Sequence, residues 1–228
     1  MALVSVVLVF VALAFGWQTP ALASHDATFT HELKPKNSAA LKAKIQQLDQ
    51  TIQKNQSNAK NFGQRGEDYE TLGEHAKALA DYEQAIKLEP KTQEWYAGRA
   101  RVYFRLLRTN DAVKDLSRAL ELGPGSARIY TDRASGYELL HDYPKALEDA
   151  TKAISLAPKS LDAYMLRANS NALRGNLEDC IADCTTALKF APDNSDLYYM
   201  RGKAYAQLHK KNLADADIEH AVKLRGSK

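Results

Sequence analysis

Residues 127–160 read ARIYTDRASGYELLHDYPKALEDATKAISLAPKS, and the decisive property of this stretch is that it recurs. Its tail, Leu156-Ala157-Pro158, returns every 34 residues as Leu88-Glu89-Pro90, Leu122-Gly123-Pro124, Phe190-Ala191-Pro192 and, without the proline, Leu224-Arg225-Gly226. A fixed period of this length marks an array whose units bury their apolar faces on one another. With units beginning at Ala59, Gln93, Ala127, Leu161 and Ser195, the eighth position is always small: Gly66, Ala100, Ala134, Ala168 and Gly202. The twentieth is small too (Ala78, Ala112, Ala146, Cys180, Ala214), and the twenty-seventh is alanine throughout (Ala85, Ala119, Ala153, Ala187, Ala221). Two helices cross closely only where side chains are small, so the helices of each unit are expected to meet at these positions. Aromatic residues at position four (Phe62, Tyr96, Tyr130, Tyr164, Tyr198) and, in four units, position eleven (Tyr69, Tyr103, Tyr137, Tyr205) are expected to plug the gaps between them.

Small at eight, aromatic at eleven, alanine at twenty and twenty-seven and proline at thirty-two: over residues 59–228 this pattern resembles the tetratricopeptide repeat. The resemblance implies an all-α fold, an α-solenoid of five 34-residue helix-turn-helix units (59–92, 93–126, 127–160, 161–194 and 195–228). It further implies a right-handed superhelix whose concave groove, lined by the first helix of each unit, receives a peptide or a partner helix. Some members of that family hold C-terminal carboxylates with a clamp that requires lysine at position five of one unit. Position five here is Gly63, Ala97, Thr131, Met165 and Tyr199, so the clamp and its partner class are not expected.

Ahead of the array, Leu41, Ile45, Leu48 and Ile52 form an apolar stripe at helical spacing. Residues 38–58 fall in phase with the second helices, Ile45, Leu48 and Ile52 matching Leu79, Tyr82 and Ile86 one period later, and are expected to be a helix that caps the stack. At the opposite end Asp215 stands where the other units have Leu79, Val113, Leu147 and Ile181, which suits a face with no following unit. Residues 24–37, with Pro35 and few apolar groups, read as a flexible leader. Residues 1–23 read as a signal peptide cleaved after Ala23, because Ala2 to Phe15 carries no charge and Ala21-Leu22-Ala23 follows Pro20. The apolar run is shorter than the roughly 20 residues that span a bilayer. No basic residue precedes it, and retention as a membrane anchor is the alternative. An exported protein, periplasmic or secreted, is the expectation.

Charge narrows the partners: 31 basic and 28 acidic residues leave a formal net charge of +3 with no block of one sign, which argues against nucleic acid. Arginine recurs at position seven (Arg65, Arg99, Arg133, Arg167, Arg201) and aspartate at position twenty-three (Asp81, Asp115, Asp149, Asp183, Asp217). Groups present in every unit serve what every unit shares, so pairs between helices are expected rather than an anion track. Cys180 and Cys184 are the only cysteines, too few for a disulfide framework or a zinc site, and read as small buried apolar groups. The six histidines, at 25, 31, 75, 141, 209 and 220, form no metal motif. Without a nucleophile paired to a base, or a glycine-rich phosphate loop, neither an enzyme nor a cofactor or metal site is expected.

Residues on the groove side that break the repeat are therefore the candidates for binding. Arg101, Phe104, Arg105 and Arg128 place three basic groups around an aromatic ring, suited to an acidic or C-terminal carboxylate peptide. Met165, Asn169, Tyr199 and Lys203 form an apolar patch with polar edges. The expected function is a non-enzymatic scaffold or adaptor that binds a protein or peptide partner. The alternatives are a homo-oligomer that self-associates through its groove or last helix, and a recruitment arm held at the membrane by an uncleaved N-terminus.

Overall fold

The computed structural model describes residues 38–226, so the expected signal peptide (1–23) and leader (24–37), with His25 and His31, lie outside the described residues, as do the last two residues of the fifth unit. Among the described residues there are eleven helices and no strands. Helix α1 (Ser38–Lys54) precedes ten further helices: α2 (Ala59–Thr71), α3 (His75–Leu88), α4 (Gln93–Arg105), α5 (Thr109–Leu122), α6 (Ala127–Leu139), α7 (Tyr143–Leu156), α8 (Leu161–Leu173), α9 (Leu177–Leu188), α10 (Ser195–Gln207) and α11 (Lys211–Gly226); α2 pairs with α3, α6 with α7, α8 with α9 and α10 with α11. Each first helix starts at the residue the sequence period assigns as position one. The chain forms two compact units, one up to Arg108 and one from Thr109.

Local signals set the helix ends. Asn58, Ser126, Ser160 and Asn194 lie just before first helices, and their side-chain oxygens accept from the backbone N–H groups of Lys60, Ile129, Ala163 and both Asp196 and Leu197. First helices end in a left-handed residue at position fifteen. Gly73 and Gly175 supply it without strain, whereas Leu107, His141 and His209 hold φ values of 58–59°. The turn after α2 shows the resulting bond pattern, Gly73 N–H donating to the Glu70 carbonyl and Glu74 N–H to that of Tyr69.

Between the helices of a pair, the small positions meet. A Cβ on Gly66 would stand 3.3 Å from the Asp81 Cβ, and one on Gly202 would stand 2.9 Å from Ile218 Cγ1 and 3.2 Å from the Ala214 carbonyl. Alanines at position twenty-seven are fully buried in all five repeats. Between repeats, bulk is exchanged across the contact. In the first unit Tyr82 packs against Gly98, which would meet the tyrosine ring if it carried a side chain. In the second, the same two positions hold Ala150 and Leu166, which cluster with Ala134. Either arrangement fills one space once.

The position-seven arginines do more than close a pair. Arg133 donates from Nε and Nη2 to the two carboxylate oxygens of Asp149 at 2.7 and 2.8 Å, and Arg65, Arg167 and Arg201 do the same to Asp81, Asp183 and Asp217. The remaining Nη1 reaches back to the preceding second helix: Arg133 to Ser117 (3.2 Å), Arg167 to Thr151 (3.3 Å) and Arg201 to Thr185 (3.1 Å). Aromatic rings flank the guanidinium along its own helix, Tyr164 lying 5.6 Å from that of Arg167, Tyr137 5.6 Å from that of Arg133 and Tyr198 5.5 Å from that of Arg201. The aromatic positions thus act as walls for the arginine as well as filling.

Helix α1 enters this scheme in the place of a second helix. Ile45, Leu48 and Ile52 are buried, Ile52 in a cluster with Ala59, Phe62 and Ala85, against which Leu88 and Trp95 pack. Asp49 accepts from Arg65 Nη1 at 2.6 Å, in the place Ser117, Thr151 and Thr185 hold further along. One contact departs from the repeat: Lys44 stands at the small position, 2.7 Å from Asp68, whose counterpart Val102 packs against Ala78. Asp68 is 3% exposed, and its second oxygen has no hydrogen-bond partner among the described residues.

Two stability outcomes follow from these contacts. Lys44→Ala removes the cation from a buried carboxylate and should lower the unfolding free energy by about 2 kcal/mol, while Lys44→Ala combined with Asp68→Val should recover most of that loss, both read by urea denaturation. His209→Gly relieves a left-handed residue and should raise stability by roughly 0.5–1 kcal/mol in thermal melts; a loss would show that the histidine side chain itself holds the turn.

Candidate partner-binding groove

Positions two, five, nine and twelve follow one face of each first helix, and their residues differ from unit to unit, unlike those at positions seven, eight, twenty-three and twenty-seven. Their chemistry is built separately in each compact unit.

In the first unit Arg101 is engaged. Its Nε lies 3.1 Å from Glu70 Oε1 and its Nη2 3.1 Å from Glu70 Oε2, and Nη2 also donates to the Tyr82 hydroxyl at 3.4 Å. The Tyr82 hydroxyl in turn donates to Glu70 Oε2 at 3.4 Å, and burial pushes its pKa up. Phe104 is buried at 7% exposure, so its ring belongs to the packing, while Arg105 is exposed. Arg128 lies in the second unit, exposed, with Nε 3.8 Å from Asp132 one helical turn on. Of the basic set read from the sequence, Arg105 and Arg128 present their charge to solvent, and Arg101 already holds a carboxylate.

The second unit presents the other set. Met165 is buried at 6% exposure, whereas Asn169, Tyr199 and Lys203 are partly exposed along α8 and α10. The Arg225 guanidinium, near the end of α11, sits 5.2 Å from the Tyr199 ring centroid and bonds Asp196 at 2.7 Å, so the last helix folds a cation onto this patch. Lys203 makes no ion pair or hydrogen bond among the described residues.

Glu138 was not singled out from the sequence. It sits at position twelve of α6, is 4% exposed, and accepts a hydrogen bond from Ser170 Oγ at 3.0 Å and one from the Asn169 side chain. Burial pushes its pKa up to about 7, the two hydrogen bonds only partly opposing it. A signal did exist: Glu138 is the counterpart of Glu70 two periods earlier, but Asn169 stands where Arg101 provides the cation.

The remaining polar candidates are accounted for locally. Cys180 and Cys184 are fully buried free thiols, and the hydrogen bond between them, with desolvation, pushes Cys184 far above the range where a thiolate forms. His141 Nδ1 lies 2.9 Å from the Tyr143 hydroxyl, and the His220 ring lies tilted against that of Tyr198, their centroids 4.3 Å apart. Among the described residues no three histidine, cysteine or carboxylate side chains gather at metal-binding distance.

Two family models, both described as Tetratricopeptide repeat, match the chain, one at residues 64–127 and 131–195 and the other at 195–228. Solved structures resemble it closely in backbone. YrrB, a repeat protein of that kind with an unusual peptide-binding site, gives a TM-score of 0.73 at 19% identity over 80% of this chain and 94% of its own. MamA gives 0.68 at 21% identity over 71% and 95%, and a MamA chain from Desulfovibrio magneticus RS-1 gives 0.71 at 18% over 75% and 96%. At these identities the likeness is one of fold, a solenoid of helical repeats. No curated protein sequence matches the chain.

The raised Glu138 pKa makes stability fall as the medium becomes alkaline. An unfolded glutamate titrates near 4.5 and the folded one near 7, so the contribution of the protonated side chain is intact below about 4.5 and is lost as pH rises through 7. Glu138→Gln keeps an acceptor for Ser170 without the charge. Its stability relative to the parent should be near zero at pH 4.5 and favourable by up to roughly 3 kcal/mol at pH 8. A difference that does not change with pH would place the Glu138 carboxyl in water.

Proposed function

Because the chain belongs to the tetratricopeptide repeat family, we propose that it is a non-enzymatic adaptor that binds an extended segment or helix of another protein along its first-helix groove. One observation carries this reading. The residues that recur in every unit are consumed in packing and in the arginine–aspartate pairs, while groove positions such as Asn169, Tyr199 and Lys203 depart from the repeat and remain accessible. Side chains that differ between units and stay partly exposed are available to a ligand. The peptide-binding site of YrrB, on a similar backbone, is consistent with such use.

The uncharged stretch from Ala2 to Phe15 and the Ala21-Leu22-Ala23 sequence after it support export, with the array acting in the periplasm or outside the cell. A second reading is favoured by the last helix, where Leu213 and Val222 are 50% and 61% exposed: the array then associates with its own copies through α11.

A photo-crosslinking amino acid placed at Asn169 or Lys203 in the producing cells should give an adduct with one other protein. The same group at Lys152 on α7 or at Lys189 just past the end of α9, both exposed, should give none. Adducts of twice the chain's own mass would favour self-association, and equal crosslinking from both faces would remove the groove reading. N-terminal sequencing of the mature protein should begin at Ser24.

A further inference from the structure

The slot between position twelve of one first helix and position nine of the next is built three times inside single compact units, with different contents. In the first unit Glu70 and Arg101 fill it, and the fork of Arg101 meets both carboxylate oxygens. Their side chains are only 14% and 18% exposed, so the pair is largely removed from water, and Tyr82 adds its hydroxyl. In the second unit the carboxylate remains, as Glu138, but Asn169 stands in place of the arginine and Ala150 in place of the tyrosine. Asparagine is much shorter and brings no charge. Glu138 is left with hydrogen bonds from Ser170 and Asn169 and, among the described residues, with no ion pair. A carboxylate taken out of water without a cation is costly, and the repeat's own answer to that cost is a guanidinium arriving from position nine.

The next slot along is its mirror image. Position twelve of α8 is Ala172, and position nine of α10 is Lys203, an ammonium with no carboxylate opposite. Within the second unit the groove thus offers first an anion lacking its cation and then a cation lacking its anion. Helices α6, α8 and α10 lie side by side in that order. Packed helix axes stand about 8–10 Å apart, a distance that an extended chain covers in about three residues.

We propose that a ligand completes both half-pairs: the groove of the second unit takes an extended peptide whose arginine displaces the Asn169 amide to bind Glu138, and whose acidic residue, about three positions away, binds Lys203. Arginine is favoured over lysine because the fork geometry that Arg101 shows on Glu70 matches a carboxylate two-on-two. Tyr199, partly exposed on the same helix as Lys203, supplies the surface along which the intervening residues lie. The inference rests on the groove-binding reading above and adds the identity of the residues recognised.

The test is selection of a random heptapeptide library, displayed on phage, against the full-length chain at low salt. Selected peptides should be enriched in arginine, with an acidic residue roughly two to four positions away. Glu138→Gln should lose the arginine enrichment, and Lys203→Gln only the acidic one. Replacing arginine by citrulline in a selected peptide should weaken binding about tenfold or more. Asn169→Arg should rebuild in the second unit the pair that Arg101 makes in the first, abolishing selection of arginine peptides while the melting temperature holds or rises; that variant separates a closed site from a misfolded protein. Peptides selected without arginine bias, or a bias that survives Glu138→Gln, would overturn the proposal and leave groove binding standing. No selection at all would count against groove binding itself and this proposal with it.

Discussion

The packing within each compact unit leans on one kind of side chain, the position-seven arginine, as Arg65, Arg133, Arg167 and Arg201 show it. Its Nε and Nη2 bind the aspartate of its own second helix, its Nη1 reaches the second helix before it, and rings three residues before or four after stand against its face. A single guanidinium thereby fixes three helices: the pair within a unit and the step to the preceding one. Burial of the aspartates keeps the bonds away from competing water. Nearby carboxylates also hold the arginines of these pairs above their usual pKa and so charged throughout. With the clamp in place, the small residues at positions eight, twenty and twenty-seven can be as small as they are, because spacing is set by bonds as well as by bulk.

Most of this architecture was legible in the sequence because a repeat states the same constraint five times. The start of every first helix, the crossing points and the arginine–aspartate pairing of Arg65, Arg133, Arg167 and Arg201 could be read directly from register. The capping helix was legible for the same reason, since Ile45, Leu48 and Ile52 fall in phase with the second helices. What periodicity could not show was the third bond of each arginine, to a position that is aspartate, serine or threonine according to the unit, and the exchange of Tyr82 with Gly98 for Ala150 with Leu166. Those features vary in identity while conserving volume or hydrogen bonding, so they carry no fixed letter.

The groove was less legible because exposure there is decided by neighbours. Arg101 looked free in sequence and is held by Glu70; Phe104 and Met165 looked available and are buried. Glu138 drew no notice, although it differs from Glu70 chiefly in what faces it across the next helix. Binding in such arrays is written in pairs of positions one repeat apart, and a single position read alone does not reveal whether its partner is internal or must come from outside.

The account stands or falls on the clamp being a cooperative bond that fixes helices. A double-mutant cycle on Arg167→Ala and Asp183→Ala, followed by urea denaturation, measures that bond directly. A coupling energy of about 2 kcal/mol is expected, with each single variant nearly as damaging as the pair. A coupling within about 0.5 kcal/mol of zero would mean that the small-residue crossings hold the stack unaided and would contradict the account.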